Sequence, residues 1–321
     1  MIKIKEIFTN NKKKLISGGY IARTVGITRT AVWKKVRQLQ KSGYNIESVK
    51  NKGYILNELP DVVDIDVIKI KLEKDKLLDV YGNIKYYYHT HSTQTAAKRL
   101  ADNKAVEKLA IITEDQDQSY GRFGRKWSSP YGGLWFSIIL KPDIVPQNAA
   151  FLTLLMSLAV REVLQEYAKK PMYLKWPNDV FADNKKICGI LTELSAEIDR
   201  TRWVVIGAGI NINNRIPSEL SKTAVSLAQL CKRKFERTEL FYSILKNFGE
   251  RYKKFLISGF YPFKSEYRKN LLWINKNVKA ELADESVVKG RIFGINRNGF
   301  LILQTDDHRR VVVPSGDLYK T

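Results

Sequence analysis

Cysteine is nearly absent from this 321-residue chain. Only Cys188 and Cys231 occur, too few for a disulfide framework or a four-cysteine zinc site, and the scarcity suits a reducing cytoplasm. Long apolar runs are missing too. The longest, residues 149–160, includes Thr153 and Ser157 and falls short of the roughly 20 residues a membrane span needs. The first residues, MIKIKEIFTNNKKK, lack an apolar core followed by small residues, so secretion is not expected and a cytoplasmic location without membrane attachment is.

What the chain has in excess is positive charge. Its net charge is +22, and residues 1–60 hold 13 basic against three acidic side chains, or +10 in less than a fifth of the length. Such a segment suits a polyanion, since each neutralised phosphate releases condensed counterions. A lysine-rich background explains the total but not this gradient.

Within those sixty residues the periodicity is helical and then extended. Ile4, Ile7 and Phe8 make one amphipathic turn, a short segment covers 19–25, and Gly26 sits in a turn before Thr28, which can cap a helix over 29–41. Val32, Val36 and Leu39 share one stripe of that helix; Thr30, Lys34, Arg37 and Lys41 lie opposite, with Trp33 at the flank. Past Gly43 the run NIESVKNKGYIL reads as a hairpin turning at Asn51, Lys52 and Gly53. Three helices and a hairpin make a winged helix-turn-helix, with Arg29, Thr30, Trp33, Lys34 and Arg37 as candidate contacts in a major groove. A three-helix bundle for protein contact is the alternative; turn length, charge and wing together favour DNA. Residues 57–66, with Pro60 and sudden acidity, read as a linker.

Beyond Ile84, strand-like runs alternate with helices, the strongest over 93–102 and 148–167, and tight turns such as ADNK at 182–185 point to antiparallel pairing and an α+β fold. Four segments carry chemistry. HSTQT, around Ser92, Thr93 and Gln94, is alone no more than a helix cap. In residues 116–133, Gly121-Arg122 and Gly124-Arg125-Lys126 suit a loop that wraps a phosphate, with Trp127 free to stack on a flat ring or anchor the loop; an exposed basic hairpin fits equally. In KWPNDVFADNKKICGILTE, Lys175, Asn178 and Asp179 precede a turn and Lys186 begins a buried-looking strand. In GAGININ, Gly207 and Gly209 permit close approach and Asn211 offers donor and acceptor, unless the strand is merely tightly packed. From Trp273 short alternating runs (VKAEL, VVKGRIFGI, FLILQT, RRVVVPS), with Asn298-Gly299 as a hairpin signal, suggest a small SH3-like β-barrel.

With KWPND and the GRKW core in this order, the chain resembles biotin protein ligases, and with the winged module in front, the bifunctional subclass of biotin ligase and biotin operon repressor. The resemblance implies three domains: 1–60 for DNA, 65–272 for a mixed or antiparallel-sheet ligase domain with helices, and 273–321 for the barrel, which would engage ATP or the carrier protein unless it is plain support. It implies ATP-dependent formation of biotinyl-5′-AMP and transfer of biotin to a lysine of a biotin carboxyl carrier domain, with operator DNA as a further partner and a ligand-dependent homodimer paired near 191–197. Ser92, Thr93, Gln94 and Gln116 would bind the ureido ring, Gly189, Gly207 and Gly209 would line the apolar slot, and Tyr120 and Gly121 would border it. Arg122, Arg125 and Lys186 would screen the two anions. Trp127, Lys175, Asn178 and Asn211 would meet ATP, and Asp179 would act as base or orienter for the acceptor amine. Mg2+ would bridge phosphate oxygens without a dedicated set of protein ligands.

Two departures stand out. The family reads STN where this chain has Ser92-Thr93-Gln94, and GRGRxGR where it has residues 119–125, SYGRFGR. A missing glycine and guanidinium imply a more weakly held adenylate and slower or leakier ligation. A pure regulator that senses a small molecule, and a lipoate-type acyl ligase, are the competing functions.

Overall fold

The fold is taken from a computed structural model of the chain, which describes residues 2–41, 44–58, 61–102, 106, 108–282 and 284–321. Gly43 and Pro60, both invoked above, lie outside the described residues. The chain divides into two compact units, Met1–Val67 and Ile68–Thr321.

The first unit holds α1 (Ile2–Asn10), α2 (Gly18–Val25), α3 (Arg29–Lys41), and strands β1 (Leu15–Ile16), β2 (Asn45–Val49) and β3 (Gly53–Glu58). Local chemistry sets the boundaries. Ser17 accepts the Tyr20 N–H to cap α2, Gly26 ends it at φ 72°, and the Thr28 hydroxyl accepts from Ala31 N to start α3. Ile4, Phe8, Ile21, Val32, Val36 and Leu39 are buried together, each side chain contributing about 1.5–3 kcal/mol of burial. The wing has three strands rather than two, ordered β1-β3-β2: Leu15 and Ile16 pair with Ile55 and Tyr54. Two residues are a short signal, which the hairpin pattern hid. Of the proposed linker, Ile65 and Asp66 are helical, because the Asp64 carboxylate accepts the Asp66 and Val67 N–H groups and starts a helix there.

The second unit opens with α4 (Ile65–Lys74, entered at its first turn) and α5 (Leu78–Tyr81) and is built on a seven-stranded sheet. Its strands are β4 (Asn83–Thr90), β5 (Leu109–Gln116), β6 (Leu134–Leu140), β7 (Tyr173–Lys175), β8 (Asp179–Ala182), β9 (Lys185–Ala196) and β10 (Thr201–Ile210), ordered β4-β5-β6-β10-β9-β8-β7. Only β4 and β5 run parallel, joined by α6 (Thr93–Ala101); the other pairs are antiparallel. The turn between β8 and β9 places Asp183 and Asn184 at φ 47° and 59°, the left-handed pair that a two-residue hairpin requires. Buried α7 (Ala150–Ala168) packs on α9 (Arg237–Ser258), a 22-residue helix that the sequence reading left unassigned. α8 (Leu227–Cys231) and α10 (Lys264–Lys269) complete the helices described. The chain ends in a five-stranded antiparallel sheet, β11 (Asn277–Glu281), β12 (Val287–Ile295), β13 (Leu301–Gln304), β14 (Arg310–Val313) and β15 (Asp317–Lys320), ordered β14-β13-β12-β11-β15. Among the described residues no helix is long and apolar enough to cross a membrane.

Candidate active site

One cavity of about 400 Å3, within the ordinary range for a small-molecule site, opens against β9, β10 and the loop after β5. The four segments singled out above all reach it: the start of α6, the loop 119–127, the turn and strands around KWPND, and the end of β10.

The floor is bare backbone. Gly189 and Gly209 are cross-strand partners in β9 and β10, and the Trp127 indole lies over both. A Cβ added at Gly209 would sit 2.5 Å from Trp127 Nε1, and one at Gly189 2.9 Å from the ring, so only glycine leaves room for the indole. A Cβ on Gly207 would meet Gln94 Oε1 at 2.4 Å. Trp127 Nε1 is buried and has no hydrogen-bond partner among the described residues. An orphaned donor of this kind costs roughly 1–3 kcal/mol until something accepts from it.

The polar end is tied up in a network. Ser92 caps α6, its hydroxyl accepting from Thr95 N; Gln116 Oε1 accepts the Thr93 N–H at 2.7 Å, and Gln116 Nε2 donates to Ser129. Ser137 Oγ lies 3.0 Å from both Thr93 Oγ1 and Gln94 Oε1. Gln94 Nε2 donates to Glu193 at 2.9 Å and to the Val205 carbonyl. The longer glutamine thus reaches across to β9, and its amide is engaged at both ends. Glu193 also takes Lys98 at 2.7 Å and the Tyr120 hydroxyl at 3.2 Å. Tyr120, which stands where the family's pattern has arginine, is fixed by that carboxylate toward α6.

Cations close the other end. Loop 119–127 is a hairpin on itself, with Gly121 N donating to Arg125 O and Trp127 N to Ser119 O, and Phe123 at φ 58° at its exposed tip. Arg122 Nη1 donates to Asn178 Oδ1 at 3.3 Å and to the Gly316 carbonyl; Arg125 Nη2 pairs with Asp317 at 2.6 Å. Burial pulls the Arg122 guanidinium below the usual arginine value, against the pull of Asp317 and Asp179. Lys186 Nζ lies 2.7 Å from Asp179 Oδ1 and 5.0 Å from the Trp127 ring centroid. Lys175 faces three rings, Phe181, Trp273 and Tyr319, at 5.3, 5.7 and 5.6 Å. Burial lowers its ammonium from the ordinary lysine range, opposed by Asp179 and assisted by Lys186. Asn178 is pinned to Ile190 by its side-chain amide, and Asn211 accepts from Asn214.

Every ligase-site residue expected from sequence lines this cavity. Asp317, Tyr319, Ser137 and Ser119 line it as well and were not expected, and Glu193 behind it was missed too. Asp317 lies 192 positions beyond Arg125, and no local pattern marks it. In the first unit, Arg29, Thr30, Trp33, Lys34 and Arg37 are all exposed on α3, Arg37 lying over the Trp33 ring at 5.6 Å.

Comparison with known proteins agrees along the length of the chain. A biotin/lipoate A/B protein ligase family model matches residues 86–211, an HTH domain model residues 1–55, and a biotin protein ligase C terminal domain model residues 273–320. The bifunctional ligase/repressor BirA of Bacillus subtilis (strain 168) is 38% identical over 307 residues, covering 94% of this chain and 93% of that protein. The BirA of Escherichia coli (strain K12) is 29% identical over 293 residues, covering 90% and 88%. The structure of biotin protein ligase from Aquifex aeolicus in complex with biotin and ATP aligns with a TM-score of 0.66 at 31% identity, covering 75% of this chain and 100% of that one.

Proposed function

The chain belongs to the biotin protein ligase family, alongside its bifunctional ligase/repressors, and from that premise we propose how its residues carry out the two activities. It activates biotin with ATP, biotinylates a carboxyl carrier protein, and represses transcription through its helix-turn-helix. The observation that carries the residue assignment is the convergence of Arg122, Arg125, Lys175 and Lys186, from the loop 119–127, β7 and β9, on one cavity with a glycine floor.

In the first step a biotin carboxylate oxygen attacks the α-phosphorus of ATP, the bond to the β-phosphate oxygen breaks, and pyrophosphate leaves biotinyl-5′-AMP. Two anions must approach, and their repulsion is the barrier that fixed cations lower. Lys186 stands between the carboxylate and the α-phosphate, held by Asp179 from one side and by the Trp127 face from another. Arg122 and Arg125 bring guanidinium groups from the loop, and Asn178 and Asn211 meet the triphosphate. Trp127 Nε1, with no acceptor of its own, donates to the bound ligand. Ser92, Thr93, Gln94 and Gln116 surround the ureido ring, with Gln94 acting through the position it fixes for Ser137. In the second step the neutral amine of a carrier lysine attacks the acyl carbon and AMP departs. Since Asp179 faces Lys186, its part is to position that ammonium rather than to accept the acceptor's proton.

Mg2+ suits these residues. Among the described residues, the carboxylates lining the cavity, Asp179 and Asp317, each face a cation, so Asn178 and Asn211 would hold the hydrated ion, which would screen phosphate charge. The working division is 1–60, 65–272 and 273–321, and α3 enters the operator groove. Dimerisation is proposed along β9: beyond Gly189 its outer edge has no strand partner among the described residues.

The decisive assay is transfer of biotin, and not lipoate, to a carboxylase carrier domain by the purified chain. Lipoate transfer would make it an acyl ligase of the other kind, and no transfer of either would leave a regulator alone.

A further inference from the structure

Two of the chain's three histidines stand two residues apart at the carboxyl end of β4, an edge strand of the seven-stranded sheet. β4 and β5 run in parallel register, His89 opposite Asp115 and Thr90 opposite Gln116, so the residues just past the strand ends, His91 and Asp117, emerge side by side. His89 Nδ1 lies 2.6 Å from Asp115 Oδ2, His91 Nδ1 lies 2.8 Å from Asp117 Oδ1, and His89 Nε2 lies 3.7 Å from Asp117 Oδ2. The two rings meet edge to face, centroids 6.1 Å apart.

This arrangement has the chemistry of a metal site. A carboxylate on Nδ1 holds that nitrogen protonated, fixes the ring's orientation and leaves the Nε2 lone pair free, which is how metal-bound imidazoles are commonly supported from behind. Asp115 does this for His89, whose Nε2 then faces Asp117. One nitrogen from each ring and one Asp117 oxygen lie within 4.8 Å of one another. Donors about 2.0–2.2 Å from a tetrahedral zinc ion are roughly 3.3–3.6 Å apart, so small rotations of exposed side chains complete the set. Two imidazoles and one carboxylate suit zinc, cobalt or nickel, and offer too few oxygens for calcium or magnesium. All three groups are exposed, so a fourth position is open to water.

We propose that His89, His91 and Asp117, with Asp115 orienting His89, bind one divalent transition-metal ion of the zinc class. Its place is at the strand ends that lead directly into Ser92 and Gln116, which an ion there ties to each other; His91 O already accepts from Gln118 N. The site is independent of the ligase assignment and stands or falls by metal binding.

The test uses untagged, full-length protein and Co2+ as the probe, read by visible absorption and by calorimetric competition with Zn2+. One Co2+ per chain, with a spectrum of nitrogen and oxygen ligands and displacement by one Zn2+, is expected. The exposed pair His89→Asn/His91→Asn should abolish uptake without changing the thermal unfolding midpoint, His308→Asn should leave uptake as it is, and Asp115→Asn should weaken it about 10- to 100-fold. Absence of stoichiometric uptake, uptake that survives loss of both histidines, or a thiolate charge-transfer band from Cys188 or Cys231 would overturn the site. An Asp115→Asn protein that binds as tightly as the parent would overturn the role given to Asp115.

Discussion

Gly209 and Gly189 set the height of the Trp127 ring above the sheet, and one methyl group is enough to disturb it. Gly209→Ala is expected to lift the indole, moving the orphaned Nε1 and the cation that lies over the ring. A drop of about tenfold in kcat/KM for biotin, or about 1.4 kcal/mol, should appear in steady-state kinetics, with the unfolding midpoint nearly unchanged. Gly209 was legible in the sequence as a place of close approach and Gly189 only through the family resemblance, but what approaches them was not, because Trp127 arrives from another segment. Gln94 shows the reverse case. Its extra methylene was visible as a departure from the family pattern; that it would let the amide reach Glu193 and Val205 depends on β9 and β10 lying beside α6, which no local spacing expresses. Asp179→Asn removes a charge 2.7 Å from Lys186. The adenylation step, measured by burst kinetics, should slow at least as much as the transfer step; a defect in transfer alone would restore the role of base.

At the scale of elements, the last strand and the longest helix matter most. β15 brings Asp317 against Arg125 and Tyr319 against Lys175, while Trp176 donates to the Gly299 carbonyl at the hairpin of the same module. The C-terminal sheet therefore builds part of the cavity wall, which its alternating residues did not reveal. Asp317→Ala releases the loop guanidiniums and is expected to raise KM for ATP about tenfold while KM for biotin stays within about twofold. α9 starts with Arg237, whose guanidinium pairs with Glu114 at 2.7 Å in a fully buried contact and donates to the Gly133 carbonyl. Removing one member strands a charge in the interior, so Arg237→Met should destabilise the fold by about 3–5 kcal/mol in urea denaturation. The helix itself was missed in the sequence, although Leu240, Phe241, Ile244, Leu245, Phe248, Tyr252 and Phe255, all buried, mark it at three- and four-residue spacing. Arg237 as a buried ion-pair partner was not readable, since an arginine beside a helix start looks like any exposed one.

For the whole molecule, the charge gradient and the edge of β9 that has no strand partner among the described residues are the features through which the proposed dimer would connect the two activities. If biotinyl-5′-AMP favours pairing of two copies along that edge, occupancy of the cavity raises operator affinity by the same factor that operator binding raises pairing. Sedimentation should therefore show more dimer with biotin plus ATP than without; equal distributions would remove the link. Arg29→Ala/Arg37→Ala is expected to weaken operator binding and lower its salt dependence without altering ligation. Before all of this, cations gathered from the loop 119–127, β7 and β9 must lower the repulsion between two acids. The measurement that reaches it most directly is biotin-dependent exchange of labelled pyrophosphate into ATP by the purified chain and by its Lys186→Ala form. Exchange that requires biotin in the parent and falls by two or more orders of magnitude in the variant, roughly 3 kcal/mol of transition-state stabilisation, is predicted; no exchange in the parent, or equal exchange in both, would contradict it.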